Sequence, residues 1–561
     1  GQVRDPRRDR RLTARPAATP PADVRPPSAF PQGLAAPCAF GLSLSVDAGG
    51  WVAGRPIGRR PLLRGALVGA AGLLGLTSCD DDSATAPTPT GPTARTSPSA
   101  GDWRALASDL DGTLLLPDQA EFAAAAQLYD PRYDDVRPYA VVEAAAAEDV
   151  ATALAFATRF GLPIRARSGG HSFVGASVVD SGLIVSTTAL NQVTYDAGSQ
   201  LATVGAGAEL IDMYAGLDAD GRTVPSGTCP TVGVSGLTMG GGIGAEMRAY
   251  GLSCDAVRGA TVVTADGRIH QVDADREPDL FWALRGGGGG NVGIVTSWVF
   301  ATSPATDIGM GILTWPTSAG AAVIRAGQQR TAVAEPSEYV GVHLSALGSG
   351  AQVLTVLTSL TGDAEPEARR LENAVGVPPA SESYASHAHL DGVAVLAGCP
   401  DGGLDRCHTP PRGSIQRQSR VSGSDVLTGV LPAATAQALV DVVGEFGRGG
   451  GVGYLLIDGL GGAVAEVGVE DSAFSWRDSS SILQWYVTTN GSSSADSAAR
   501  QWVDAGHAVL GDASQGGYVN YVEPDRDIST YYGPNYDRLR KVRSQYDPDG
   551  LFDSPWSVPR G

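Results

Sequence analysis

Arg165-Ala166-Arg167-Ser168-Gly169-Gly170-His171-Ser172 is a run of mostly small residues with an imidazole near its end. Small side chains leave successive backbone N–H groups open, and such a loop suits a pyrophosphate held by main-chain donors. Working outward, Leu162 to Arg167 reads as the strand that feeds this loop, and Gly161 caps a helix predicted over 144–160. Val150, Leu154 and Phe160 fall on that helix's inner side, and Ala140-Val141-Val142 precedes it as a strand. Further strands are predicted over 183–187, 202–204 and 260–264, with Asp266-Gly267 turning the last into 268–272. The class predicted is α+β with mixed sheets.

Two more glycine clusters follow. One runs from Cys229-Pro230-Thr231-Val232-Gly233-Val234-Ser235-Gly236 through Leu237 and Met239 to Gly240-Gly241-Gly242-Ile243-Gly244. The other joins Arg285 and Gly286 to Gly290 with Asn291-Val292-Gly293-Ile294-Val295. Near the C-terminus stand Tyr518-Val519-Asn520-Tyr521, then Tyr531-Tyr532-Gly533-Pro534-Asn535-Tyr536, then Tyr546-Asp547-Pro548-Asp549-Gly550. Glycine loops are common singly; this order and spacing are not. Gly240 to Ala245 fits a loose dinucleotide fingerprint, but no clear strand precedes it. Asp109-Leu110-Asp111-Gly112-Thr113 mimics a phosphatase nucleophile motif, yet Arg104 to Ser108 is poor strand sequence, so a loop is predicted there.

The chain of 561 residues is long enough for several folded units, and its 74 glycines point to close backbone approaches. Lys541 is the only lysine, which nearly excludes Schiff-base and P-loop chemistry. The net charge of −19 lies mostly beyond an arginine-rich front, and such a surface repels nucleic acid. Residues 1–58 read as disordered or upstream sequence. Residues 59–79 then read as a twin-arginine-type export signal, with Arg59-Arg60 before the apolar run Gly65 to Leu76. It ends in Leu76-Thr77-Ser78-Cys79, which resembles a lipobox with Cys79 as the lipid-bearing residue; 80–101 reads as a tether. A periplasmic or cell-surface protein is expected, touching membrane only through that anchor. Cys254 reads as a buried thiol. Cys399 and Cys407 flank a short loop and can pair in an oxidising compartment. Together with His387, His389 and His408 they lack regular ligand spacing, so a disulfide with exposed histidines is favoured and no metal is expected.

The glycine blocks and the C-terminal motifs together resemble the berberine bridge enzyme-like branch of the vanillyl-alcohol oxidase superfamily, with its PCMH-type FAD-binding domain. The resemblance spans about 139 to 559 and is weak between about 306 and 511. It implies a two-subdomain FAD domain over 102–305 and a substrate domain of antiparallel sheet and helices over 306–510. A C-terminal segment over 511–561 returns to complete the FAD domain. It further implies FAD bound bicovalently, His171 to the 8α carbon and Cys229 to C6. Around the cofactor it places Arg167, Ser168, Gly169, Gly170, Ser172, Val232, Gly233, Gly236, Gly240, Gly241, Gly242, Gly244, Gly293, Val295, Tyr532 and Asn535. Val232 stands where oxygen-reactive relatives carry a small residue, and Leu237 departs from a common His.

Tyr518 matches the tyrosine that serves as base in several relatives, although a strand tyrosine in ordinary packing is an equal reading. Its phenol must be depressed to serve, by Arg477 or by hydrogen-bond donors. Asn520, Gln484, Tyr486 and Arg477 are candidate substrate contacts, Gln484 and Tyr486 sharing one strand face. The expected activity is oxidation of an alcohol or hemiacetal carbon of a sugar or secondary metabolite, with O2 as acceptor, by a monomer. The alternatives are a dehydrogenase using a quinone or redox protein, and a non-catalytic flavin-binding lipoprotein.

Overall fold

The computed structural model describes residue 1 and residues 97–348, 350–399 and 403–561. The predicted export signal, Cys79, Cys38 and most of the tether lie outside the described residues. Among those described, no helix is long and apolar enough to cross a membrane.

The opening loop leaves a four-stranded sheet ordered Thr113–Leu115, Ala140–Glu143, Leu183–Ser186, Ile164–Arg167, with its last three strands parallel. Parallel neighbours need a crossover, and the helix Ala147–Phe160 supplies it, closed by Gly161 at φ 63°. This helix begins three residues later than predicted because Asp149 turns back to cap it. Asp149 accepts from the backbone N–H groups of Ala145, Ala146, Asp111 and Gly112. The phosphatase-like stretch is therefore a loop tied to a helix cap. Helix Ala100–Ser108 precedes it and opens inside the end of the predicted tether.

A second, antiparallel sheet follows in the order Val193–Asp196, Leu201–Gly205, Ile294–Ala301, Val257–Val263, Ile269–Val272. Trp298 and Phe300 are fully buried in its core.

The third sheet has seven antiparallel strands: Ser381–His387, Ile308–Trp315, Gly350–Ser359, Glu338–Leu347, Gly453–Gly459, Ser481–Thr489, Ser419–Leu427. Side chains alternate across a pleated strand, so each strand addresses two environments. Leu483, Trp485, Leu455, Ile457 and Val342 join one apolar core with the inner faces of helices Gly320–Thr331, Ala433–Arg448 and Ser493–Leu510. Gln484, Tyr486, Leu456 and Asp458 point the other way, into a cavity. The C-terminal segment returns beneath it: Tyr532, Leu539, Tyr546 and Val558 share a core with the second sheet. The molecule is of the α+β class, a mixed sheet and an antiparallel sheet with a larger antiparallel sheet beside them.

Candidate active site

The site is built where the first two glycine loops touch. A Cβ added to Gly169 would lie 2.2 Å from the Gly233 nitrogen, and one added to Gly233 would lie 2.1 Å from Ser168 Oγ. Only glycine permits that approach. Ser168 Oγ and Ser235 Oγ both donate to the Ala206 carbonyl, at 2.7 and 2.8 Å, which locks the loops to the second sheet. On the cavity side the glycines have room: a Cβ on Gly236 or Gly290 would meet no atom within 4 Å. Arg167 is buried in the same cavity, and burial lowers its guanidinium to about 10. A cleft walled by three glycine loops with a buried cation fits the diphosphate of a dinucleotide.

His171 and Cys229 line that cavity together. The His171 ring stacks on Tyr129 at 4.1 Å between centroids. Its Nε2 lies 2.9 Å from Thr231 Oγ1, and its Nδ1 lies 3.3 Å from the Arg420 guanidinium. Burial, then the Arg420 charge, push the imidazole well below its ordinary range, so it is neutral at neutral pH. Arg420 is itself held over the rings of Tyr129 and Phe173, at 4.3 and 4.8 Å.

The third sheet and the C-terminal segment close the other side. Gln484 and Tyr486 share one strand face, as their spacing predicts, and both line the cavity. On the neighbouring strand Asp458 accepts a 2.5 Å hydrogen bond from the Tyr339 hydroxyl, and burial pushes its carboxyl up to about 6. Tyr521 borders the same space; its neighbours Asp458, Tyr518 and Cys229 add to burial in raising its phenol. Among the described residues the Tyr521 hydroxyl has no hydrogen-bond partner, and the ring meets Tyr518 edge-on at 5.0 Å.

Several expected residues are placed differently. Tyr518 borders the cavity, but its hydroxyl accepts from the Gly242 N–H and from Asn520 Nδ2, both at 2.8 Å. Burial raises the phenol despite these donors, so the depression predicted for it does not occur. Nor does Arg477 line the cavity, so it does not make the substrate contact predicted for it, and it is not among the groups that shift the Tyr518 phenol. It is fully buried in a two-pronged pair with Asp255, both contacts 2.7 Å, and ties the segment around Ser472 to the FAD-domain side. Asn535 is likewise structural, its Nδ2 donating to the Val469 and Ser472 carbonyls. Gly240, Gly241 and Gly242 do not line the cavity; added Cβ atoms there would strike Asn520, Phe474 and Ser253. These glycines serve packing behind the site. The other expected cofactor residues, with Leu237 and Asn520, all border the one cavity.

Of the three histidines predicted to be exposed, His387 is partly exposed and the other two are not. His389 is buried with Nε2 3.0 Å from Glu246, and His408 is buried with Nδ1 2.6 Å from Glu209. Cys399 and Cys407 form a disulfide, and Cys254 is fully buried. Glu209, Asp212 and His408 converge closely, but Arg412 lies across both carboxylates and offsets part of their charge. Tyr521, Asp458, Tyr339, Tyr129 and Arg420 were not singled out from sequence as site residues. The two-residue strand period that marked Gln484 and Tyr486 would also have marked Leu456 and Asp458.

Residues 138–273 match the family model described as FAD binding domain, and residues 517–559 the model described as berberine and berberine like. The chain is 30% identical over 468 residues to YgaK, an uncharacterized FAD-linked oxidoreductase of Bacillus subtilis, covering 79% of this chain and 95% of the relative. It is also 30% identical to the xylooligosaccharide oxidase of Thermothelomyces thermophilus, over 76% of this chain and 88% of that one. The solved xylooligosaccharide oxidase of Myceliophthora thermophila, in complex with xylobiose, superposes with a TM-score of 0.73 at 25% identity, over 82% of this chain and 99% of that chain. The chain belongs to the berberine bridge enzyme-like FAD-linked oxidoreductases, and FAD is its cofactor.

Proposed function

We propose that the protein oxidises an alcohol or hemiacetal carbon of a small molecule, with sugars the leading class, while holding FAD through His171 and Cys229. Bound FAD supplies the hydride acceptor and, through reoxidation by O2, hydrogen peroxide. The observation that carries the reading is the Tyr521 hydroxyl, which faces the cavity unbonded beside the buried Asp458 carboxylate. A neutral phenol acts as a base only if it passes its own proton on. Asp458, ionised above about pH 6 and near enough for its charge to raise the Tyr521 phenol, is the proton acceptor in this reading. The base thus moves from Tyr518, the residue the family motif suggests, to Tyr521. Gln484 and Tyr486 offer hydrogen bonds to substrate hydroxyls from the sheet above. Likeness to a xylooligosaccharide oxidase supports the sugar class. Val232, bordering the cavity close to Cys229, supports O2 as acceptor over a quinone.

The test is a peroxide-coupled screen of mono- and oligosaccharides, xylobiose first, and of secondary alcohols. Peroxide should form, with kcat/KM rising as pH passes through about 6, because only the ionised Asp458 accepts a proton. Asp458→Asn should lower kcat about 10²–10⁴-fold, the usual contribution of acid–base catalysis. Flavin reduction by substrate without peroxide would favour the quinone-linked dehydrogenase instead.

The front of the chain supports export by the twin-arginine-type route to the periplasm or cell surface, with Cys79 lipidated. Cys79→Ser should move the protein from the membrane fraction to the soluble fraction; unchanged fractionation would remove the anchor from the reading.

A further inference from the structure

We propose that His507, in its doubly protonated form, is a positioning residue that clamps the segment carrying Tyr521 to the third sheet. The inference rests on the reading of Tyr521 as the base. His507 lies on the helix Ser493–Leu510, outside the cavity that holds the proposed chemistry. Its Nδ1 is 2.8 Å from Asp425 Oδ2, on the strand Ser419–Leu427, and its Nε2 is 2.9 Å from Glu523 Oε2, two residues after Tyr521. Each ring nitrogen therefore faces a carboxylate oxygen at hydrogen-bond distance. A neutral imidazole has one N–H and satisfies only one of them, turning a lone pair on the other. The imidazolium satisfies both.

The surroundings say which bond gives way when the proton leaves. Asp425 is 1% exposed and also accepts from Trp485 Nε1 at 2.9 Å and Ser514 Oγ at 2.6 Å. Glu523 is 12% exposed, pairs with Arg526 at 3.0 Å, and receives weaker contacts from the Ser424 N–H and the Tyr531 hydroxyl, at 3.4 Å each. Arg526 also stands 3.9 Å from Asp425, and Arg500 and Asp504 of the helix, with Asp525, border the same hollow. Glu523 is the looser partner, and it is joined through one residue to Tyr521. The two carboxylates hold the imidazole up at about 9 against burial, which opposes the charge. With a folded value above the unfolded 6.5, the clamp contributes in full below about pH 6.5 and is lost as pH rises through about 9.

Glu523→Gln separates this clamp from generic destabilisation, because an amide hydrogen-bonds to either protonation state of the ring. In the wild-type holoenzyme, kcat/KM with xylobiose should fall about tenfold per pH unit above 9, following one ionisation. The backbone amides of 518–523 should lose hydrogen-exchange protection over the same range. Glu523→Gln should keep kcat/KM at pH 7.5 within about threefold and show neither the alkaline fall nor the loss of protection. His507→Gln, neutral at every pH, should have its protection already lowered at pH 7.5 and no further step near 9. The same alkaline limb in wild type and Glu523→Gln, or protection that does not change with pH, would overturn the proposal. If xylobiose is not oxidised, the sugar reading fails while the amide measurements still decide the clamp.

Discussion

Tyr521→Phe should lower kcat by about 10²–10⁴-fold, or about 3–5 kcal/mol of barrier at 1.36 kcal/mol per factor of ten, with FAD still bound. The substitution keeps the ring and its edge-on contact with Tyr518, and it removes a hydroxyl that bonds to no described residue. Little stability is therefore at stake, and the loss falls on the proton transfer. Tyr518→Phe is the informative contrast. It strips an acceptor from the buried Gly242 N–H and from the half-buried Asn520 Nδ2, which keeps its bond to the Leu237 carbonyl. Leaving the buried Gly242 N–H unmet costs about 1–3 kcal/mol, so melting temperature should drop while kcat falls far less than in Tyr521→Phe. The pair is measured by initial rates of peroxide formation beside thermal unfolding of flavin-loaded enzyme. If Tyr518→Phe abolished turnover and Tyr521→Phe kept it, the base would be Tyr518 after all.

Why the sequence pointed to one tyrosine and the fold to another is a matter of local backbone. Val519–Tyr521 forms a single 3₁₀ turn. Residues three apart in such a turn nearly eclipse, whereas a strand would have put them on opposite faces. Tyr518 is the extended residue just before that turn, and its hydroxyl is taken up by Gly242 and Asn520, while the Tyr521 hydroxyl at the end of the turn bonds to no described residue. The loops at 165–172 and 229–237 were legible because their function lies in contiguous residues. Main-chain donors and the residues of the close glycine contact each sit within a short run, and the two candidate tethers, His171 and Cys229, each lie in one of them. Asp458, Arg420 and Tyr129 were not legible, because each gains its place only through the order and register of distant strands. Arg477 failed for the converse reason. Its partner Asp255 lies 222 positions away, and no local pattern reveals a buried ion pair of that span. The run Gly240-Gly241-Gly242 looked like a cradle but is closely packed by Asn520, Phe474 and Ser253 and does not line the cavity.

Acid precipitation of the double variant His171→Ala/Cys229→Ala should release all of its flavin, whereas wild type and both single variants should release none. The two side chains border one cavity from loops 58 positions apart, so either of the proposed bonds alone would retain the cofactor after unfolding. His171 is suited to its part. It is neutral at neutral pH because burial and the Arg420 cation disfavour its charged form, and a neutral imidazole keeps the lone pair that a bond to carbon requires. Thr231 and Tyr129 fix the ring, by hydrogen bond at one edge and by stacking over one face. The single variants then separate the bonds: peptide mass spectrometry should find flavin on the Cys229 peptide alone in His171→Ala, and on the His171 peptide alone in Cys229→Ala. Free flavin in the wild-type supernatant would leave the FAD site standing and remove both tethers. Flavin released from one single variant only would reduce them to one, at the residue whose loss set it free.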